Sequence, residues 1–315
     1  MAWLAVAMDV TQEAVDWVRT SLVGAAYHGP MQLTPWQAGN TVASEPWAYT
    51  LRLYLLDDPT SQRTLSAIAT QLTPLQRTRF ISDFTVQPCA ALPDQTDLLQ
   101  APVQAIGDRL VLVPPGASYP TPENKVTIQL EHSLAFGSGF HPATRLSLQL
   151  LDRHVQPGMH TLDLGCGSGI LSVALAKLGA TVVALDNDPI AVSATEAMAT
   201  QNGVTAQITA QTGSLGQGNT LGHWLGEELS AIAPPPNPGP VDLIVANILA
   251  RVHIALATDY AAALRSGQPG PHLITAGFTT DYEPDVVAGL EATGFTVRDR
   301  VTEADWVALA YDRKV

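Results

Sequence analysis

A chain of 315 residues exceeds the usual size of one domain, and with 46% apolar residues it predicts two packed domains and excludes global disorder. Its formal charge of −13 argues against direct binding to nucleic acid or anionic membranes, which needs basic surface, and suits a basic partner instead. The two cysteines, Cys89 and Cys166, lie far apart without metal-ligand spacing, so the sequence predicts neither a disulfide framework nor a metal site, and a cytoplasmic setting.

The opening Met1-Ala-Trp-Leu-Ala-Val-Ala-Met8 has the apolarity of a signal peptide but no basic leader. Asp9 and Glu13 follow at once, so residues 3–8 read as a strand. No run approaches the length that spans a bilayer. Thr11 is placed to cap a helix over residues 12–22, with Ala14, Val15, Val18 and Leu22 on one face. Residues 47–55 alternate as a strand, 60–72 fit a helix and 79–86 a further strand. The order strand, helix, strand, strand, helix, strand predicts a small α+β, ferredoxin-like sheet over residues 1–87. Pro, Gln and Asp without periodicity from Pro88 to Pro102 place a linker at 88–104, ahead of a second domain over 105–315.

Short strands at 109–113 and 126–130 lead into that domain. Apolar runs at 161–164, 182–186 and 241–246 then alternate with helical stretches at 170–178 and 189–201. Such alternation predicts parallel strands with crossover helices, hence an α/β, doubly wound sheet. Residues 212–240, with Pro234-Pro235-Pro236, read as a surface excursion. A helix at 249–264, a strand at 272–276, a helix at 283–292 and a hairpin of 295–301 with 306–311 complete the chain.

The most informative stretch is Asp163-Leu-Gly-Cys-Gly-Ser-Gly169, which follows a strand and opens a helix. Glycines at alternate positions let the backbone turn tightly and approach a ligand, which doubly wound sheets bind beyond the carboxyl ends of their strands. Asp186, ending the next strand, stands at roughly the 20-residue distance from which a carboxylate reaches ribose hydroxyls. The dinucleotide spacing G-x-G-x-x-G fails in both registers, which put Ile170 or Ser172 where the last glycine belongs, and no Gly-Lys-Ser/Thr marks a P-loop. S-adenosylmethionine carries no pyrophosphate and needs neither pattern. The plainer alternative is a strand-to-helix connection that binds nothing.

Three segments resemble the PrmA family of ribosomal-protein methyltransferases. They are Leu134-Ala-Phe-Gly-Ser-Gly-Phe-His-Pro-Ala-Thr144, Asp163-Leu-Gly-Cys-Gly-Ser-Gly-Ile-Leu171 and Asn247-Ile-Leu-Ala250. The similarity covers most of residues 105–315. It implies a class I methyltransferase-like domain, preceded by a small domain that captures the substrate, the eleventh protein of the large ribosomal subunit. The implied reaction methylates lysine ε-amines and an amino-terminal α-amine with S-adenosylmethionine. By position, the resemblance puts cofactor contacts on Thr144, Gly165, Asp186 and Asn247. The family's Gly-Thr-Gly-x-His-x-Thr-Thr reads here with Ser138 and Ala143, so one hydroxyl is kept and one is lost.

The residues carry their own readings beside it. Asn247 follows the apolar strand and is expected at its carboxyl end, where a side-chain or neighbouring backbone carbonyl orients an incoming amine; otherwise it is a turn-forming Asn. Ile-Leu-Ala after it, in place of Pro-Pro-Tyr, lacks the aromatic that stacks on planar nitrogens and favours a tetrahedral amine. Gly167 belongs to the cofactor loop, and Asp163 either orients that loop or faces the amino-acid part of the cofactor. His141 is a candidate general base or a loop-shaping residue, and Asp188-Pro189 reads as a helix start. Two other functions stay open: a methyltransferase for another protein lysine or a small-molecule amine, and a binding module without activity.

Overall fold

The computed structural model describes residues 2–25, 27, 29–37, 46–92, 103–115, 117–130, 139, 141–216, 239–265 and 271–313. The chain divides into two compact units: Met1–Gln104, Val113–Pro120 and Leu130–His141 form one, Ala105–Leu112, Thr121–Gln129 and Pro142–Val315 the other.

The first unit contains β1 (Trp3–Val10), α1 (Ala14–Gly24), β2 (Met31–Pro35), β3 (Tyr49–Leu56), α2 (Ser61–Arg77) and β4 (Thr85–Cys89). Its antiparallel sheet has the order β2-β3-β1-β4, the ferredoxin-like arrangement that the element order predicts. Period-2 alternation sends Val6, Met8 and Val10 of β1 and Leu51, Leu53 and Leu55 of β3 into one core with Val15, Val18 and Leu22 of α1 and Ile68 and Leu72 of α2. Two expectations need correction. α2 runs past residue 72 to Arg77, because Pro74 falls in its last turn and interrupts little of the ladder. The strand expected at 79–86 starts only at Thr85: Arg79 has a φ of 60° and Phe80 N donates to the Leu75 carbonyl, so these residues close the helix instead. β4 therefore runs through Pro88 into the expected linker, which an edge strand tolerates. Residues 93–102 of that linker lie outside the described residues.

Further along, β5 (Gln104–Ile106), β6 (Leu110–Val113) and β7 (Val126–Gln129) pair as a separate small sheet. The second unit continues with α3 (Pro142–His154), β8 (His160–Leu164), α4 (Ile170–Lys177), β9 (Thr181–Asp186), α5 (Pro189–Gln201) and β10 (Ile208–Thr212). After these come β11 (Leu243–Asn247), α6 (Ala250–Ala255), α7 (Ala257–Ala263), β12 (Leu273–Thr279), α8 (Glu283–Glu291), β13 (Phe295–Glu303) and β14 (Trp306–Arg313). The strand order is β10-β9-β8-β11-β12-β14-β13. β10 through β12 are parallel, and β14 lies antiparallel between β12 and β13. The chain winds one way from β8 through β10 and the other way from β11, so the switch point lies between β8 and β11.

β8 and β11 are buried through most of their length, which is why their sequences are continuous apolar runs. β10 was not expected: Ile208-Thr-Ala-Gln-Thr212 is a polar, half-buried edge strand without such a run. The single helix expected at 249–264 is two, broken at Leu256. Residues 217–238 of the expected excursion lie outside the described residues. Among those described, no helix is long and apolar enough to cross a membrane.

Candidate active site

β8 and its parallel neighbour β9 bring the motif residues together. Beyond β8 the chain turns at once, and Gly165 N and Cys166 N both donate to the Leu185 carbonyl, at 2.8 and 3.1 Å. The loop is thereby held over the end of β9. Gly165, Gly167 and Gly169 all take positive φ, at 76°, 53° and 83°, and Gly169 caps α4. At Gly165 space is as restrictive as conformation, since a Cβ would stand 2.6 Å from Cγ2 of Ile248.

Asp186 is bound into this loop. One carboxylate oxygen accepts from Gly167 N and the other from Asp188 N, each at 3.0 Å. Asp188 in turn accepts from Ile190 N at 2.8 Å and caps α5, with Pro189 at its first position, the helix start that the sequence predicts. α5 also supplies Thr195, which the sequence reading did not single out. Its buried hydroxyl donates to the Cys166 sulfur at 3.2 Å and the Gly167 carbonyl at 3.3 Å, bracing the loop from the side of the helix.

Asp163 is fully buried. Its Oδ2 accepts from the Ser172 hydroxyl at 2.6 Å, a bond that ties the strand to the helix behind the loop, while Oδ1 has no hydrogen-bond partner. Burial pushes its pKa up to about 7; the charge of Asp186 adds to this and the Ser172 bond opposes it. An unfolded chain releases this proton near pH 4. Stability held by the protonated form is therefore lost as pH rises from about 4 toward 7. Without cofactor, the melting temperature of Asp163→Asn relative to wild type is expected to climb across that window. Parallel melting curves for the two proteins would contradict the assignment.

Thr144 and Asn247 meet although 103 residues separate them. Thr144 lies in the first turn of α3 and is fully buried; Asn247 is the last residue of β11. Asn247 Nδ2 donates to Thr144 Oγ1 at 3.3 Å, which leaves the buried Oδ1 without a partner. Asn187, just past β9, has a buried Oδ1 in the same condition. Thus the carboxyl ends of three adjacent strands, β9, β8 and β11, carry unpartnered side-chain oxygens of Asn187, Asp163 and Asn247, the amide oxygens being acceptors and that of Asp163 an acceptor once the carboxyl is ionised. A pyrophosphate needs N–H donors; a cationic, donor-rich ligand needs acceptors.

His141 groups with the first compact unit, and burial pulls its pKa down to about 4, a poor match for a general base near neutrality. Residues 134–138 and 140 of the first resembling segment, Ser138 among them, lie outside the described residues.

Side-chain oxygens at the switch point, at the same strand ends as a loop whose first glycine has a positive φ and crowds a Cβ against Ile248, fit a sulfonium nucleoside. With an antiparallel strand inserted near one sheet edge, the second unit is a class I S-adenosylmethionine-dependent methyltransferase domain. The sequence model described as ribosomal protein L11 methyltransferase (PrmA) matches residues 96–314, and the chain belongs to that family. It is 38% identical to the ribosomal protein L11 methyltransferase of Chloroflexus aurantiacus, over 99% of this chain and 98% of that protein. The protein of the same name from Herpetosiphon aurantiacus is 37% identical over 100% of both chains. The crystal structure of ribosomal protein L11 methylase from Lactobacillus delbrueckii subsp. bulgaricus matches with a TM-score of 0.55 and 30% identity, covering 68% of this chain and 99% of that one.

Proposed function

We propose that this chain transfers methyl groups from S-adenosylmethionine to lysine ε-amines, and to the amino-terminal α-amine, of ribosomal protein L11. The observation that carries the reading is the Asn247 side-chain carbonyl, buried and unpartnered at the end of β11 while its amide nitrogen is committed to Thr144. A buried acceptor left unpaired costs about 1–3 kcal/mol, which an arriving N–H recovers.

S-adenosylmethionine, when bound, would supply a methyl group on a sulfonium: an amine lone pair would form the new N–C bond in line as the C–S bond breaks, and the electron pair would leave on the sulfur of S-adenosylhomocysteine. The residues of this chain do the rest. The Gly165–Gly169 turn, Gly167 included, would hold the nucleoside, and Asp186 would take the ribose hydroxyls. Thr144 and Asp163 would face the amino-acid end, with Asn247 beside them holding Thr144 through its amide nitrogen and keeping Oδ1 for the acceptor. A lysine must shed its proton before attack, and desolvation together with repulsion from the sulfonium would favour the neutral amine without a dedicated strong base. Asn247 Oδ1 then accepts one amine N–H and so fixes the direction of the lone pair. Positioning of this kind supplies much of the rate.

The sheet of residues 1–89 is assigned to substrate capture, the residues between β4 and β5 to a linker, and the part that follows to catalysis. The acidic chain, at −13, complements a basic ribosomal protein, and the setting is the cytoplasm where such proteins are made. Incubation of a cell extract with labelled cofactor tests the reading: label on L11 is expected, and label only on another protein or a small amine would overturn it. Asn247→Ala is expected to lower kcat by about 10²-fold, with a much smaller change in cofactor affinity. Full turnover in that variant would remove Asn247 from the acceptor site.

A further inference from the structure

Asn247 continues into Ile248, and Ile248 is gripped from two sides. Its side chain lies over Gly165 of the cofactor loop. Its backbone lies over Gly277, where φ is 94° and a Cβ would collide with the Ile248 carbonyl oxygen and stand 2.7 Å from its nitrogen. Gly277 belongs to an irregularity in β12, where the register with β14 shifts between Thr275 and Phe278.

The carbonyl just before Gly277 receives two hydrogen bonds. Ile248 N donates to Ala276 O at 3.0 Å, and His253 Nε2 lies 2.9 Å from the same oxygen. A carbonyl only accepts, so Nε2 carries the proton. His253 Nδ1 is then an acceptor, and the Tyr260 hydroxyl donates to it at 3.2 Å. Both side chains are fully buried, and the imidazole meets the Phe278 ring edge-on at 5.5 Å between centroids. Burial lowers the His253 pKa to about 4, which keeps this tautomer neutral in the working range. Such a ring is poorly placed to carry protons and well placed to hold a carbonyl still.

We propose that His253, oriented by Tyr260, is a positioning residue for methyl transfer: by sharing the Ala276 carbonyl with Ile248 it fixes the turn that aims the Asn247 carbonyl at the acceptor amine. The inference rests on the assignment of Asn247 to the acceptor. A histidine donor gives the turn a second anchor on β12 beyond the strand ladder, which ends at the Asn247–Ala276 pair.

The test is a set of variants of the full chain assayed with purified L11, with cofactor affinity measured separately by calorimetry. His253→Leu is expected to lower kcat about tenfold while the Kd for S-adenosylmethionine moves less than about twofold. His253→Gln, whose amide can donate to the carbonyl and accept from Tyr260, is expected to restore most of the loss. Tyr260→Phe, which removes only the hydroxyl, is expected to cost about threefold and keeps the test open should the leucine variant fail to fold. Each loss is expected to vanish in an Asn247→Ala background, because the anchor then has nothing to aim. Losses that persist there, or a glutamine variant as slow as leucine, would overturn the positioning role while leaving Asn247 in place. Full turnover of Asn247→Ala alone would overturn both assignments together.

Discussion

Gly165→Val is expected to weaken binding of S-adenosylmethionine by at least about 100-fold, or about 2.7 kcal/mol. Two effects combine, and their sizes differ. A β-branched residue at a φ of 76° carries a conformational penalty of about 1–2 kcal/mol, too little by itself to empty the site. The steric effect is larger, because the first added atom already stands 2.6 Å from Ile248 Cγ2 and two methyl groups lie beyond it. Relief requires the Ile248 side chain to leave its rotamer, or the Asn247-Ile248 turn or the loop to move. If the loop moves, the bonds from Gly165 N and Cys166 N to the Leu185 carbonyl are lost, and with them the surface that meets the nucleoside. Gly165→Ala separates the contributions, since it adds the Cβ without the branches and is expected to bind at an intermediate strength. Calorimetry reads all three proteins, with melting temperature as a control for folding. Wild-type affinity in the valine variant would remove this loop from the cofactor site.

The sequence reading reached furthest where one segment carries its own signal. The strands at 161–164, 182–186 and 241–246 are apolar because both faces of a parallel sheet are covered, and each coincides with an observed strand to within two residues at its ends. The glycine loop and Asp186 were legible for a related reason, because adjacent parallel strands joined by one helix put the end of each beside the other. What escaped depended on contacts between distant segments. β10 carries polar residues because it is an edge, and no periodicity marks it. The pairing of Thr144 with Asn247 exists only once α3 is laid near the end of β11; Asn247 alone also reads as a turn former, and only the family resemblance joined the two in one site. Thr195, Gly277 and His253 carried no motif at all. Gly277 looks like the ragged end of a strand until the β12 irregularity sets it against the Ile248 backbone. Asp186, too, was read only as a grip on ribose, whereas both its oxygens also hold backbone N–H groups.

That second role makes Asp186→Ala the other substitution with a large expected effect, again about 100-fold in affinity for S-adenosylmethionine. Hydrogen bonds to a charged group are worth about 1.5–3 kcal/mol each, so two ribose hydroxyls lost from a carboxylate already account for a change of that order. Loss of the acceptors for Gly167 N and Asp188 N adds to it by loosening the loop and the start of α5 before any ligand arrives. Asp186→Asn is expected to recover little, because its amide nitrogen turns a donor toward one of those two N–H groups. A companion effect separates this mechanism from a general loss of structure. The charge of Asp186 helps to hold the proton on Asp163, so its removal lowers the Asp163 pKa. The cofactor-free Asp186→Ala protein is therefore expected to lose less stability than wild type as pH rises from about 4 toward 7. Weak binding together with that flatter profile is the expected result from calorimetry and thermal melts. Unchanged affinity would move the ribose contact to another residue, and weak binding with an unaltered profile would leave the coupling of the two carboxylates without support.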